Sequence, residues 1–131
     1  MTTTKQTKMK HVLLLVFAIT LISCYDQETR CEDYKTGTFS FEQEINGKKE
    51  TSMFTRNDSL QIETFRAKTD TSSVRWINDC EFILQKLKPK NMLEKKAIHI
   101  KILTTTKKNY TFEYSFVGDA NKQKGIVNKT N

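Results

Sequence analysis

The sequence predicts an all-β domain, an antiparallel meander of about eight short strands that closes into a small barrel or packs as a sandwich. Apolar and polar residues alternate with period two over most of the chain from residue 37 onward. Short turns rich in Asn, Asp, Ser and Lys interrupt this alternation at nearly regular spacing. Because the turns are short, we expect each strand to pair with the strand before it.

Four strands are predicted in the first half of this domain. Alternation begins around Phe39, and the Asn46-Gly47 pair is typical of a tight hairpin turn. Val74 and Trp76 share one face of a later strand. We expect the strands at 37–45, 50–56, 60–65 and 74–77, with polar turns at 57–59 and 68–72 and a turn or bulge at 78–79.

The second half contains one segment that breaks the pattern. Residues 81–87 carry apolar side chains on both faces, which predicts a strand covered on both sides. The next segment holds the only proline and an Asn91-x-x-Glu94 pattern that resembles a capping box, so we expect one short helical turn near 90–96. Strands follow at 98–103, 110–116 and 125–129. We favour a small lipocalin-like barrel over a sandwich.

The N-terminal segment has the features of a bacterial export signal. Lysines without acidic residues precede an apolar core at 12–22, and Leu21-Ile22-Ser23-Cys24 matches a lipobox. As a helix this core spans about 16 Å, against about 30 Å for a bilayer core. An ordinary signal peptide or a buried helix with a chance cysteine is the alternative. We expect a lipoprotein signal peptide at 1–23, a lipidated tether at 24–36 and a single β domain at 37–131.

Lipidation of Cys24 would place the protein in the bacterial cell envelope, held by acyl chains in membrane lipid and most often at the outer membrane. Removing 1–23 takes away three lysines and no acid, which lowers the net charge from +7 to +4. Residues 24–81 then carry −4 and residues 82–131 carry +8. The basic half favours an anionic partner such as lipid headgroups. Lysines that simply decorate exposed turns would give the same pattern.

Two further cysteines, Cys31 and Cys80, follow the lipobox. In a small exported domain two thiols are more often bridged than free. A bridge would close a loop of about 49 residues, worth on the order of 4 kcal/mol in the chain-entropy model. A buried Cys80 with a free Cys31 is the alternative.

Signatures of catalysis are scarce. His99 is the only histidine after residue 24, and the sequence holds no zinc-spaced Cys/His set, glycine-rich phosphate loop or nucleophile elbow. We expect a protein that is not an enzyme and has no cofactor and no metal. An enzyme would need a cleft that gathers groups such as Glu63, Asp79 and His99.

The order of several short motifs resembles a family of small lipoproteins of Bacteroidetes-type bacteria. After the lipobox and a second cysteine these motifs are Gly37-Thr38-Phe39, Arg56 followed by Gln61-x-Glu63, and Trp76-x-x-Asp79-Cys80-x-Phe82. The resemblance covers nearly all of 24–131. Most members are uncharacterised, and some carry the name DNA topoisomerase IV. A small, exported, mostly β chain without a nucleotide fold contradicts that name, so we expect no nucleic acid partner.

Candidate site residues come from the same stretch. Gln61, Glu63 and Arg75 would form a polar interior site beside Trp76 for a small or amphipathic ligand. The alternative is a charged outer face with Trp76 filling the core. Separately, Asp58-Ser59-Leu60 resembles an O-glycosylation acceptor of the same bacterial group, in a turn that we expect to be exposed.

The leading hypothesis is a non-enzymatic, lipid-anchored envelope protein whose barrel binds a small or amphipathic ligand. The runner-up is a structural or assembly accessory that binds an envelope protein through its basic C-terminal half. An open apolar cavity would support the first hypothesis. A filled core with an exposed apolar or basic patch would support the second.

Overall fold

Eight strands follow one another in the computed structural model, which describes residues 28–131. The predicted signal peptide at 1–23 and the predicted lipidation site, Cys24, lie outside the described residues. The strands are β1 (Gly37–Ile45), β2 (Lys48–Arg56), β3 (Leu60–Phe65), β4 (Lys68–Asn78), β5 (Glu81–Lys86), β6 (Ile98–Thr105), β7 (Asn109–Phe116) and β8 (Gln123–Lys129).

Each strand pairs antiparallel with its predecessor, and β8 pairs back onto β1, so the sheet closes into a barrel. The closing ladder joins 39–41 of β1 to 127–129 of β8. It has three residue pairs, against nine between β1 and β2, which makes it one of the shorter ladders. The predicted all-β meander is confirmed, and the barrel is the form that it takes.

The hairpin between β3 and β4 turns where the sequence gives no signal. The predicted Asn46-Gly47 turn has the expected left-handed backbone, with φ of 52° and 76°. Arg66 and Ala67 adopt the same conformation, with φ of 48° and 59°. This conformation costs roughly 1–2 kcal/mol for an ordinary residue, so composition alone does not predict it. The turn predicted at 68–72 therefore lies at 66–67, and β4 begins directly after it.

One end of the barrel is filled by the segment that precedes β1. The 3₁₀ helix Cys31–Tyr34, which we call the plug, lies across this end, and both of its terminal residues are buried. The Tyr34 ring meets the Tyr110 ring edge-on at 5.1 Å between centroids. The Tyr34 hydroxyl donates to the Thr106 carbonyl at 2.5 Å. The core cluster at this end also contains Phe39, Phe54, Ile102, Phe112 and Val127.

The plug corrects the predicted boundary between tether and domain. Residues 31–34 belong to the folded domain, whereas the tether was expected to extend over 24–36. Two apolar side chains in a polar, acidic stretch gave too weak a pattern to predict this. The disulfide between Cys31 and Cys80 is confirmed, and it fixes the plug to the turn between β4 and β5.

At the other end the β5–β6 connection turns beside the barrel opening. Asn91 Oδ1 accepts from the Glu94 amide at 2.9 Å, and Glu94 Oε2 accepts from the Lys90 amide at 2.7 Å. These bonds resemble the expected capping box, but the chain forms a hydrogen-bonded turn over 92–95 and no helix between β5 and β6. Leu87, just after β5, is exposed, so the segment 81–87 is not covered along its whole length.

Candidate ligand-binding site

The barrel interior is not filled beyond the plugged end. A cavity of about 260 Å³ extends from the closed end toward the open end, and a second chamber of about 230 Å³ lies at the mouth. The two share Gln61, Glu63, Leu84 and Ile98 as wall residues, so they lie next to each other. Most of the inner wall is apolar or aromatic, from Phe41, Phe54, Ile100, Tyr110, Phe112, Tyr114 and Val127.

The floor of the cavity is built around Arg56, which is only 2% exposed. Its Nη2 donates to the Tyr34 carbonyl at 2.5 Å and its Nε to the Lys35 carbonyl at 3.3 Å. Nη1 donates to Gln61 Oε1 at 3.1 Å, and both terminal nitrogens reach the Tyr110 hydroxyl at 3.3–3.4 Å. These acceptors are neutral, and together they satisfy the buried guanidinium.

Aromatic rings complete the surroundings of this guanidinium. Its central carbon lies 4.8 Å from the Phe39 ring centroid and 4.7 Å from that of Phe82. Such cation–π contacts gain strength when water is excluded. Burial raises the pKa of the Tyr110 phenol, and the charge of Arg56 opposes that rise. Arg56 therefore joins the plug to the barrel, a role that sequence reasoning missed.

Gln61 and Glu63 occupy successive inward positions of β3, as expected. Gln61 is buried, and its carbonyl oxygen is held by Arg56. Glu63 is half-buried and its carboxyl makes no hydrogen bond or ion pair within 28–131. Burial raises the pKa of this carboxyl, Asp70 raises it further, and the charge of Lys86 partly offsets both effects. A carboxyl group with this environment can donate or accept a hydrogen bond at the cavity wall.

Arg75 and Trp76 do not line the cavity, so the expected polar site differs in composition. Arg75 is exposed on the outer face of β4, because its neighbours Val74 and Trp76 face inward. Trp76 packs below the cavity against the Phe82 ring, at 4.5 Å between centroids. The expectation that Arg75 faces inward is wrong. The arginine that faces inward is Arg56.

Charged side chains tie the mouth of the barrel together. Lys86 Nζ lies 3.3 Å from Asp70 Oδ2 of β4 and 3.0 Å from Glu94 Oε1 of the β5–β6 connection. Partial burial lowers the pKa of Lys86, but the bonds and charges of Glu94 and Asp70 outweigh it and raise the pKa overall. The Lys90 amide and then Lys86 lower the pKa of Glu94. We call the pair Lys86–Glu94 the latch.

The residues that an enzyme would need lie apart from one another. Glu63 faces the cavity, while Asp79 binds Lys35 at 3.1 Å beside the plug. His99 lies on the outer wall, with its Nε2 at 2.9 Å from Glu81. Desolvation raises the pKa of Glu81, but hydrogen bonds from His99 and Asn78 and the charge of Lys101 lower it overall.

The described part of the chain shows no group of three His, Cys, Asp or Glu side chains that could hold a metal ion. Among residues 28–131, no helix has the length and apolar character needed to cross a membrane.

Ser59 lies in the exposed turn between β2 and β3. Asn57 Oδ1 organises this turn by accepting from the Ser59 amide at 3.0 Å and the Leu60 amide at 2.8 Å. The Ser59 hydroxyl lies 3.4 Å from the same oxygen, which is a weak contact. The hydroxyl is therefore accessible, and its glycosylation stays a prediction.

Comparison with known proteins leaves the family open. No family model matches the chain, and no curated protein or solved structure matches it. The resemblance to small Bacteroidetes-type lipoproteins therefore stays a prediction from the motifs in the sequence.

Proposed function

We propose that this protein is a lipid-anchored component of the bacterial envelope whose barrel binds a small ligand without transforming it. The ligand has an apolar body and one polar group. The anchor is supported by the lipobox that ends in Cys24. Binding is supported by the mostly apolar cavity inside a barrel that is plugged at one end, and by the chamber that adjoins this cavity at the other end.

The single observation that carries the binding proposal is that the cavity walls are mostly apolar and hold only a few polar groups. Small-molecule sites are concave, mostly apolar and equipped with a few placed polar groups, and they measure about 300–1,000 Å³. The inner cavity, at about 260 Å³, is close to the lower bound of this range, and a second chamber adjoins it at the mouth. A fused-ring or short-chain amphiphile is the size of ligand that fits.

The polar end of the ligand would meet Gln61 and Glu63. Arg56 uses the carbonyl oxygen of Gln61, which leaves the amide Nε2 to donate. The Glu63 carboxyl accepts when ionised and can donate when protonated, and its raised pKa brings the protonated form closer to neutral pH. A hydroxyl, carbonyl or amine at the end of an apolar body is therefore the chemistry that this wall recognises.

A cavity-filling substitution tests the binding proposal. Gln43 lines the inner cavity, and its neighbour Glu42 is exposed on the outer face of β1. We expect Gln43→Phe to abolish the fluorescence increase of 1-aminoanthracene added to the full chain. Glu42→Phe, which adds the same ring outside the barrel, should leave that increase unchanged. Equal binding by both variants, with both folded by circular dichroism, would refute a ligand site in the cavity.

The anchor is tested separately at Cys24. Cys24→Ser removes the only sulfur that the lipobox can present for acylation, so metabolic labelling with a radioactive fatty acid should fall to background. Ser23→Ala keeps a small residue before the cysteine and should stay labelled. Continued labelling of Cys24→Ser would contradict the lipoprotein assignment.

A further inference from the structure

The β5–β6 connection, residues 87–97, presents apolar side chains to solvent at the mouth of the barrel. Met92 is 73% exposed, Leu93 59% and Leu87 54%. Leu93 also lines the chamber at the mouth, so this apolar group borders the entrance to the cavity. Three large apolar side chains this exposed within one short loop indicate a surface that meets another apolar phase.

Lysines surround these apolar residues. The connection contains Lys88, Lys90, Lys95 and Lys96 against the single acid Glu94, whose carboxylate is already bound by Lys86. No ion pair engages Lys88, Lys90 or Lys95 within the described residues. The hairpins at the same end of the barrel add Lys48, Lys49 and Lys68. The mouth therefore presents a positive rim around an apolar tip.

The connection is held in one shape rather than left loose. Besides the latch, Gln85 Nε2 donates to the Lys95 carbonyl at 3.3 Å, and the Lys96 amide donates to the Leu93 carbonyl at 3.1 Å. The reciprocal bonds between Asn91, Lys90 and Glu94 fix the start of the turn. The apolar tip is therefore presented without a large loss of conformational entropy on docking.

We propose that residues 87–97 dock the mouth of the barrel onto an anionic lipid surface. Met92 and Leu93 enter the boundary between headgroups and acyl chains, and the unpaired lysines bind the headgroups. The composition favours lipid over a protein partner. Protein interfaces are enriched in aromatic residues, Met and Arg and depleted in Lys, whereas residues 87–97 hold four lysines, no aromatic residue and no Arg, with Met92 as the one residue of an enriched type. The docking goes beyond ligand binding and does not require that the cavity be occupied.

A polarity-sensitive label tests this docking by position. In the full chain carrying Cys24→Ser, Met92→Cys is labelled with an environment-sensitive nitrobenzoxadiazole dye. A matched variant carries the label through Lys107→Cys, in the exposed turn between β6 and β7 at the opposite end. Because the apolar segment 12–22 could attach the chain to vesicles by itself, the comparison between the two labels is the readout.

With phosphatidylcholine vesicles containing phosphatidylglycerol, we expect the emission of the label at position 92 to rise several-fold and shift to the blue. The label at position 107 should stay unchanged. Vesicles of phosphatidylcholine alone should give little response at either position. No response at position 92, or equal responses at both positions, would overturn the proposal. If vesicles give no response and a photo-crosslinker attached at position 92 in place of the dye captures a protein, the proposal is overturned in favour of a protein partner.

Charge reversal tests the role of the lysines. Lys88→Glu combined with Lys90→Glu should raise the lipid concentration needed for half of the maximal response at position 92 by at least about tenfold. Each lysine near an anionic surface adds substantially to the binding free energy. The same reversal at Lys107 and Lys108, at the other end, should have no effect. An unchanged titration for the Lys88/Lys90 variant would refute recognition of anionic headgroups.

Discussion

The two ends of the barrel use charge in opposite ways. At the closed end Arg56 is fully buried, and its partners are carbonyls, an amide, a phenol and aromatic rings. At the open end Lys86 stays partly exposed and pairs with two carboxylates. Neutral partners that satisfy every donor can hold a buried cation firmly, while ion pairs in contact with water contribute little. The contacts of Arg56 at the closed end should therefore contribute more to stability than the ion pairs of Lys86 at the open end.

Among the substitutions that test this comparison, removal of the Arg56 side chain should lower the free energy of unfolding the most. Arg56→Ala leaves the carbonyls of Tyr34 and Lys35 and the side chains of Gln61 and Tyr110 without their donor. We expect the free energy of unfolding to fall by about 3–5 kcal/mol, because several buried acceptors lose their donor at about 1–3 kcal/mol each and a large buried side chain is removed. Urea denaturation followed by circular dichroism measures this loss.

The matched control lies at the open end. Arg66 forms an exposed ion pair with Glu50 at 2.9 Å. Arg66→Ala should change the free energy of unfolding by less than about 1 kcal/mol. Similar losses for the two variants would remove the distinction between the ends.

Loss of the disulfide should have the next largest effect. Cys31→Ser with Cys80→Ser opens a loop of 49 residues and releases the plug. We expect a loss of about 2–4 kcal/mol in the free energy of unfolding. Thermal denaturation of the double variant should match that of wild-type protein treated with reductant. If reduction has no effect on the melting temperature, the bridge does not stabilise the closed end.

Glu63, between the two ends, should make stability depend on pH. Because burial raises the pKa of Glu63, the folded state keeps this proton to higher pH than the unfolded state does. The stability that the proton provides is complete below about pH 4 and is lost as pH rises through the folded-state pKa. Glu63→Gln should therefore gain stability relative to wild type as pH rises toward neutral. Urea denaturation at several pH values measures this, and exposed Glu42→Gln should show no such trend.

The smallest effect is expected at the latch. Glu94→Gln weakens the contact with Lys86 and the bond from the Lys90 amide. We expect little change in the free energy of unfolding, since both side chains are partly exposed. Hydrogen exchange of amides between 88 and 96 should nevertheless accelerate, while exchange in the plug stays unchanged. Accelerated exchange at both ends would show that they are coupled.

The fold was largely predictable from the sequence, and the site only in part. Period-two alternation and the Asn46-Gly47 turn predicted the strands, because burial of one face imposes that pattern. The inward face of β2, however, contains Ser52 and Arg56, while Met53 faces outward. Neither face is uniformly apolar, so the pattern does not show which arginine is buried. Arg56 shares the inward face with Phe54, two positions before it on β2, and Phe54 pairs with the buried Phe39 of β1.

The same reasoning explains the error at Arg75. Adjacent residues of a strand face opposite sides, so Trp76 and Arg75 cannot both face the interior. The tryptophan takes the inward position because its large ring gains more from burial than a guanidinium that lacks acceptors. Arg56 is buried because the plug provides carbonyl oxygens, and the plug could not be predicted from two apolar residues.

The position of the plug also limits how far the closed end of the barrel can lie from a lipid attached to Cys24. The described chain enters at the closed end, and Cys31 is fixed there by the disulfide. Cys31 lies seven positions after Cys24, and a fully extended chain of that length reaches at most about 25 Å. A lipid on Cys24 would keep the closed end within that distance of its own bilayer. If the lysine rim docked onto a second, opposing bilayer, the barrel would join two membranes.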